Sequence, residues 1–144
     1  MDCNDCIKFA NENKPCFFAT AENKQPRVRG ILLWYADRTG FYFSTNDDKS
    51  FYKQLKDNQT VEICFYKPGE NNAIGTAMRV TGKVEFLNDI NLRAKMIEDK
   101  PFLKEWGYTP QSQELIIMRM PKGEAHFWTM ATSRNPKEFI KLGK

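Results

Sequence analysis

The 144-residue sequence contains a single histidine, His126. So little imidazole leaves no material for a histidine-rich metal centre, and no serine or cysteine is placed beside His126 as a nucleophile for it to activate. Glycine-rich phosphate loops are missing as well: neither G-x-G-x-x-G nor G-x-x-x-x-G-K-[ST] occurs. The longest apolar run, Ile31 to Ala36, is far too short to span a bilayer. The opening stretch MDCNDCIKFA carries early acids and no long apolar segment, so no signal peptide is expected. These absences predict a soluble, cytoplasmic protein with no membrane contact.

The body of the chain is nearly neutral. The net charge is +4, and residues 131–144 hold Arg134, Lys137, Lys141 and Lys144 against Glu138 alone. That segment reads as a basic C-terminal tail. The near-neutral remainder counts against a nucleic-acid-binding surface. Cys3 and Cys6 form a C-x-x-C, but no strand precedes it, as a thioredoxin-like site requires. A zinc site would have only Cys16 and His126 to complete it. The expectation is therefore no bound metal and reduced thiols, with Cys16 and Cys64 packed as small hydrophobes.

What is present is enough for one core: 41% hydrophobic and 13% aromatic residues in a length typical of one domain, residues 1–144. Residues 4–13 have a modest helical apolar face. Strands are predicted at 16–22, 27–36, 41–46, 60–68 and 73–88, the last bent near Gly82. A further one or two lie within 114–130, broken at Pro121 to Gly123. Helices are predicted at 48–56 and from Asp89 to about Asp99, with another turn between Pro101 and Gly107. Neighbouring strands joined by hairpins imply antiparallel pairing, and closure into a barrel would remove the edges. The fold class is mainly β with inserted helices.

One stretch draws chemistry together. In FYFSTNDDKSFYKQL (41–55) a strand hands over to a helix among Ser44, Thr45, Lys49 and Ser50. Alternation along 27–36 puts Arg27 and Arg29 on one face and Val28 and Gly30 on the other. Folding the hairpin over DRTG pairs Ala36 with Phe41 and Tyr35 with Tyr42. Continued as one ladder, it sets Leu33 opposite Ser44 and Arg29 beside Asp48. Two readings stay open. The helix start, Lys49, Ser50 and the arginines form a phosphate pocket. Alternatively, Asn46, Asp47 or Asp48 caps the helix and the two acids pair with the arginines.

The segments QPRVRGILLWY, GFYFSTNDDKSFYKQLKDNQTVEICFY and MRVTGKVEFL together resemble the FMN-binding split-barrel superfamily that includes pyridoxamine 5′-phosphate oxidase. The short members related to nitroimidazole reductases are nearest. The resemblance covers roughly residues 8–130. It implies a six-stranded antiparallel split β-barrel and a homodimer with an FMN in each interface cleft. It implies that Arg29, Lys49 and Ser50 hold the phosphate and that Ser44 and Thr45, following Phe43, approach the cofactor. The strand through Arg27, Val28, Arg29 and Gly30 would run under the flavin ring. Trp128 or Phe127 would close the site of the partner subunit.

Three departures argue against true pyridoxamine phosphate oxidation. Trp34 stands where the oxidase has a lysine, Ala77 or Met78 where it has a glutamine, and ATSRNPKEFIKLGK lacks its arginine–histidine motif. The implied function is a small-molecule oxidoreductase, reducing nitro compounds, quinones or similar acceptors with electrons from NAD(P)H. A flavin-binding electron carrier or sensor is the alternative, and a single-stranded nucleic-acid-binding barrel ranks below both.

Overall fold

The computed structural model describes residues 1–144. Helix α1 (Cys3–Glu12) starts at a capping box in which the Asp2 and Asp5 side chains each accept from the other's backbone N–H. Strands β1 (Pro15–Glu22) and β2 (Gln25–Leu32) then form a hairpin over Asn23 and Lys24. Both turn residues have positive φ, 49° and 69°, the backbone that a two-residue turn needs to match strand twist. Next come β3 (Tyr35–Asp37), β4 (Gly40–Asn46), α2 (Ser50–Asp57), β5 (Thr60–Lys67), β6 (Thr76–Lys83) and β7 (Glu85–Leu87). Helices α3 (Ile90–Asp99) and α4 (Phe102–Glu105) lead to β8 (Leu115–Met120), β9 (Gly123–Trp128) and β10 (Ile140–Leu142).

All pairings are antiparallel. They build a six-stranded sheet in the order β10-β9-β6-β5-β1-β2 and a four-stranded sheet in the order β3-β4-β8-β7. The mainly β, split-barrel expectation is borne out, although the sheets do not close into one continuous ring. Twenty buried residues from Cys6 to Leu142 fill the space between the sheets, with Phe18, Phe43, Phe65 and Met118 fully inside. A second cluster of six, including Trp34, Tyr42, Met96 and Ile117, lies under α3 and α4. No helix is long and apolar enough to cross a membrane.

Two expected strands are broken. The predicted strand 27–36 ends at Leu32 and restarts at Tyr35 in the other sheet. Leu33 and Trp34 are both buried, in different clusters, so the chain here passes from one sheet to the other. The backbone N–H of Leu33 donates to Lys14 O and that of Trp34 to Tyr42 O, which bridges the gap without leaving orphaned donors. The strand 73–88 breaks the same way after Lys83, with Val84 buried between β6 and β7. The basic tail is not free: Ile140 to Leu142 pair with β9 and Leu142 is buried.

Candidate functional site

The hairpin over DRTG has the predicted register, Tyr35 to Tyr42 and Ala36 to Phe41. Its extension does not. On the edge that pairs with β3, β4 has no strand partner beyond Tyr42; its other edge pairs with β8 from Phe41 to Asn46, setting Ser44 opposite Ile117, while Arg29 lies on β2 opposite Phe18 of β1. Arg29 therefore does not reach the helix start along a shared ladder with Asp48. It reaches α2 across the core side of β1. Its guanidinium lies 4.6 Å from the Phe51 ring centre, and Phe51 is the second residue of α2.

The first turn of α2 is open. Its N-cap is Lys49, whose side chain caps nothing. The backbone N–H groups of Ser50, Phe51 and Tyr52 have no acceptor within the protein. Asn46 and Asp48 do not cap them; the Asn46 amide donates to Asp48 at 2.8 Å and accepts from the Tyr108 hydroxyl at 2.7 Å. Neither Asp47 nor Asp48 pairs with an arginine, since the two ion pairs of the chain are Arg27–Glu22 and Arg119–Glu85. The reading in which this junction merely caps a helix is thereby corrected. Lys49 and Ser50 are exposed at the open turn.

Arg29 is half-buried and has no carboxylate in ion-pair range. Its Nη1 donates to Phe18 O at 3.1 Å, Thr20 Oγ1 at 2.8 Å and Arg27 O at 3.5 Å, and Nη2 donates to Gln54 Oε1 at 2.5 Å. Burial lowers its pKa, opposed by the more distant Glu22. Thr20, Gln54 and Phe51 were not singled out from sequence. The signal was the helical spacing of Phe51 and Gln54, three apart and so on one face.

The other predicted residues divide by face. Val28 and Gly30 point away from the core, Val28 68% exposed. A Cβ on Gly30 would meet only Phe17, at 3.9 Å, so the single chain does not itself demand glycine there. The Phe43 side chain is fully buried against Phe18, so it supports the site and cannot touch a ligand. Thr45 shares its face of β4, whereas Ser44 shares the face of Tyr42. Arg27 is exposed and paired with Glu22. Trp128 on β9 is four strand spacings from β2, on the order of 20 Å along the sheet. Within one chain it does not join Arg29.

Burial makes three of the four thiols, Cys6, Cys16 and Cys64, poor nucleophiles by raising their pKa. Burial pushes Cys6 up to about 11 and Cys16 up to about 12. No three His, Cys, Asp or Glu side chains converge as metal ligands.

The family model of the pyridoxamine 5′-phosphate oxidases matches residues 5–120. The chain belongs to that family. Its fold is shared by a NimC/NimA family protein from Clostridium acetobutylicum, at 24% identity and TM-score 0.78, covering 97% of this chain and 92% of that one. General Stress Protein 26 from Bacillus anthracis matches at 14% identity and TM-score 0.73, covering 99% and 100%. An FAD-binding protein from Mesorhizobium loti matches at 18% identity and TM-score 0.66, covering 88% and 94%. No curated protein matches the sequence.

Proposed function

We propose that this family member is a homodimeric, FMN-dependent oxidoreductase that reduces small electrophiles such as nitro compounds or quinones, with NAD(P)H as donor. The observation that carries this reading is the open first turn of α2 beside an arginine with no carboxylate partner. Three free N–H groups, the Ser50 hydroxyl, Lys49 and Arg29 make a cationic donor set suited to a phosphate dianion. Bound FMN would supply the electron-transfer chemistry; the chain's own residues hold its phosphate and shape the surface beside it.

Further support comes from the outer face of β1 and β2. Phe17, Val28 and Leu32 are 57%, 68% and 51% exposed around Gly30. A shallow groove of about 700 Å³ there is walled by Pro15, Phe17, Leu32 and Tyr66. Such an apolar surface favours a second copy of the chain, and a missing side chain at Gly30 leaves room for a flat ring against the strand. In that dimer Trp128 closes the partner's flavin site.

Purified protein tests the reading directly. It should be yellow, and acid extraction should release FMN with no FAD or deazaflavin. Anaerobic NAD(P)H should bleach it, and a nitroaromatic or quinone should restore the colour. A colourless protein that takes up no FMN would refute the assignment, whereas bleaching without turnover of any acceptor would favour an electron carrier.

A further inference from the structure

Three arginines here are partly or wholly buried without a carboxylate; Arg79 makes no side-chain hydrogen bond, and Arg93 and Arg29 are held in different ways. Arg93, 5% exposed, has every side-chain nitrogen engaged: Nε donates to Leu115 O, Nη1 to Pro110 O and Nη2 to Asn88 Oδ1. Arg29 does not. Thr20 Oγ1 takes Nη1 and Gln54 Oε1 takes Nη2, and these two oxygens are themselves joined by a 2.6 Å hydrogen bond donated by the threonine. Two acceptors that close together both sit at the Nη1–Nη2 end of the planar guanidinium. The other edge keeps Nε–H and the second Nη2–H, and Nε has no partner in the protein. That edge is the two-pronged fork that oxyanions bind side-on.

The holders are buried, Thr20 being 4% and Gln54 6% exposed. Both are neutral. The Gln54 amide also donates through Nε2 to Glu22 at 3.4 Å, so it stands between Arg29 and the nearest carboxylate. Glu22 is in turn occupied by Arg27. A glutamate at position 54 would pair more strongly with Arg29 and cancel its charge.

We infer that Gln54, with Thr20, is a positioning residue that holds the free fork of Arg29 ready for a phosphate and keeps the acid Glu22 from neutralising it. This rests on the phosphate reading above, and adds that the site's charge depends on a buried neutral amide.

The test compares FMN with riboflavin, which lacks the phosphate, on the flavin-free full chain by calorimetry or fluorescence quenching. The quantity read is the ratio of their affinities. Gln54→Glu should lower that ratio about tenfold or more, while riboflavin binding stays near wild type. Gln54→Met, which removes the acceptor without adding charge, should lower it by about 2- to 10-fold, and it decides the matter should the glutamate variant fail to fold. Arg29→Ala serves as the control for the phosphate reading. A wild-type ratio near one, unchanged in Arg29→Ala, overturns that reading and this inference together. A high wild-type ratio that collapses in Arg29→Ala but persists in folded Gln54→Glu and Gln54→Met overturns the inference alone. An equal loss of both flavins in these variants also overturns it, because general damage to the site leaves the ratio where it was.

Discussion

The guanidinium of Arg29 stacks over the Phe51 ring at 4.6 Å, and Phe51 packs edge-on to Phe18. One aromatic thus ties the cation on β2 to the first turn of α2 and to the core beneath. The position of the charge is set by this packing and by hydrogen bonds to the neutral Thr20 and Gln54, so the charge itself remains free for a ligand.

Arg29→Ala and Lys49→Ala each remove one charged donor from the proposed phosphate site. A hydrogen bond to a charged group is worth roughly 1.5–3 kcal/mol, so FMN binding should weaken roughly 10- to 150-fold in each. Riboflavin titrations should hardly change. Unaltered FMN affinity in both variants would move the pocket elsewhere.

Gly30→Val probes the outer face of β2. The side chain has space in the single chain, and valine suits a strand, so thermal stability of the flavin-free protein should be kept or slightly raised. Flavin uptake should fall at least tenfold if the ring lies against this strand. Normal flavin loading in a folded Gly30→Val protein would place the ring on another surface.

Val28→Glu probes the proposed dimer. Because Val28 is 68% exposed, the change costs the single chain little. Light scattering should give wild type at twice the 16.8 kDa of one chain and the variant at single-chain mass, with its flavin lost. A wild-type particle of single-chain mass that retains FMN would defeat a site shared between subunits.

His126 predicts a pH dependence. Burial, reinforced by Arg79 and Lys137 and opposed by Glu62, lowers its pKa below the ordinary 6.5, and its Nε2 is buried without a partner. The folded chain resists a proton that the unfolded chain accepts. Its contribution to stability is intact above pH 6.5 and is lost as the pH falls from there towards the lowered folded value. His126→Phe should therefore show a smaller drop in Tm than wild type between about pH 7.5 and 5.5, a window set by the histidine's own titration. Parallel Tm curves would show that His126 does not govern the loss.

Substrate choice offers the last check. The C-terminal segment supplies no arginine–histidine pair for pyridoxine phosphate, and its Ile140 to Leu142 are committed to pairing with β9. Flavin-loaded protein should form no significant pyridoxal phosphate from pyridoxine or pyridoxamine phosphate. Steady production at enzyme-like rates, followed by absorbance, would contradict this.

Several features were legible in the residues alone. Alternation put Arg29 on one face of its strand and Val28 and Gly30 on the other, because side-chain direction in a strand follows from the backbone itself; which face meets the core was decided by packing. The register over DRTG was legible because a short loop dictates which residues face each other. Asp89 was recognisable as a cap for α3, since its side chain bonds only to the adjacent N–H groups of Asn91 and Leu92.

What lay beyond local chemistry was the choice of partner. A strand has two edges, and nothing in 27–36 says that β2 joins β1 for its full length while β4 takes β8. That follows from burying Leu33 and Trp34 in separate clusters, which forces the chain to change sheets. The same tertiary packing brings Thr20 and Gln54, 34 residues apart, into contact around Arg29. The open turn of α2 was equally hidden, because Asn46, Asp47 and Asp48 are all able to cap a helix, yet Asn46 and Asp48 are engaged with each other and with Tyr108 and none of the three caps α2. Sequence decided which groups a strand and a helix present; tertiary structure decided which of them were left unpaired.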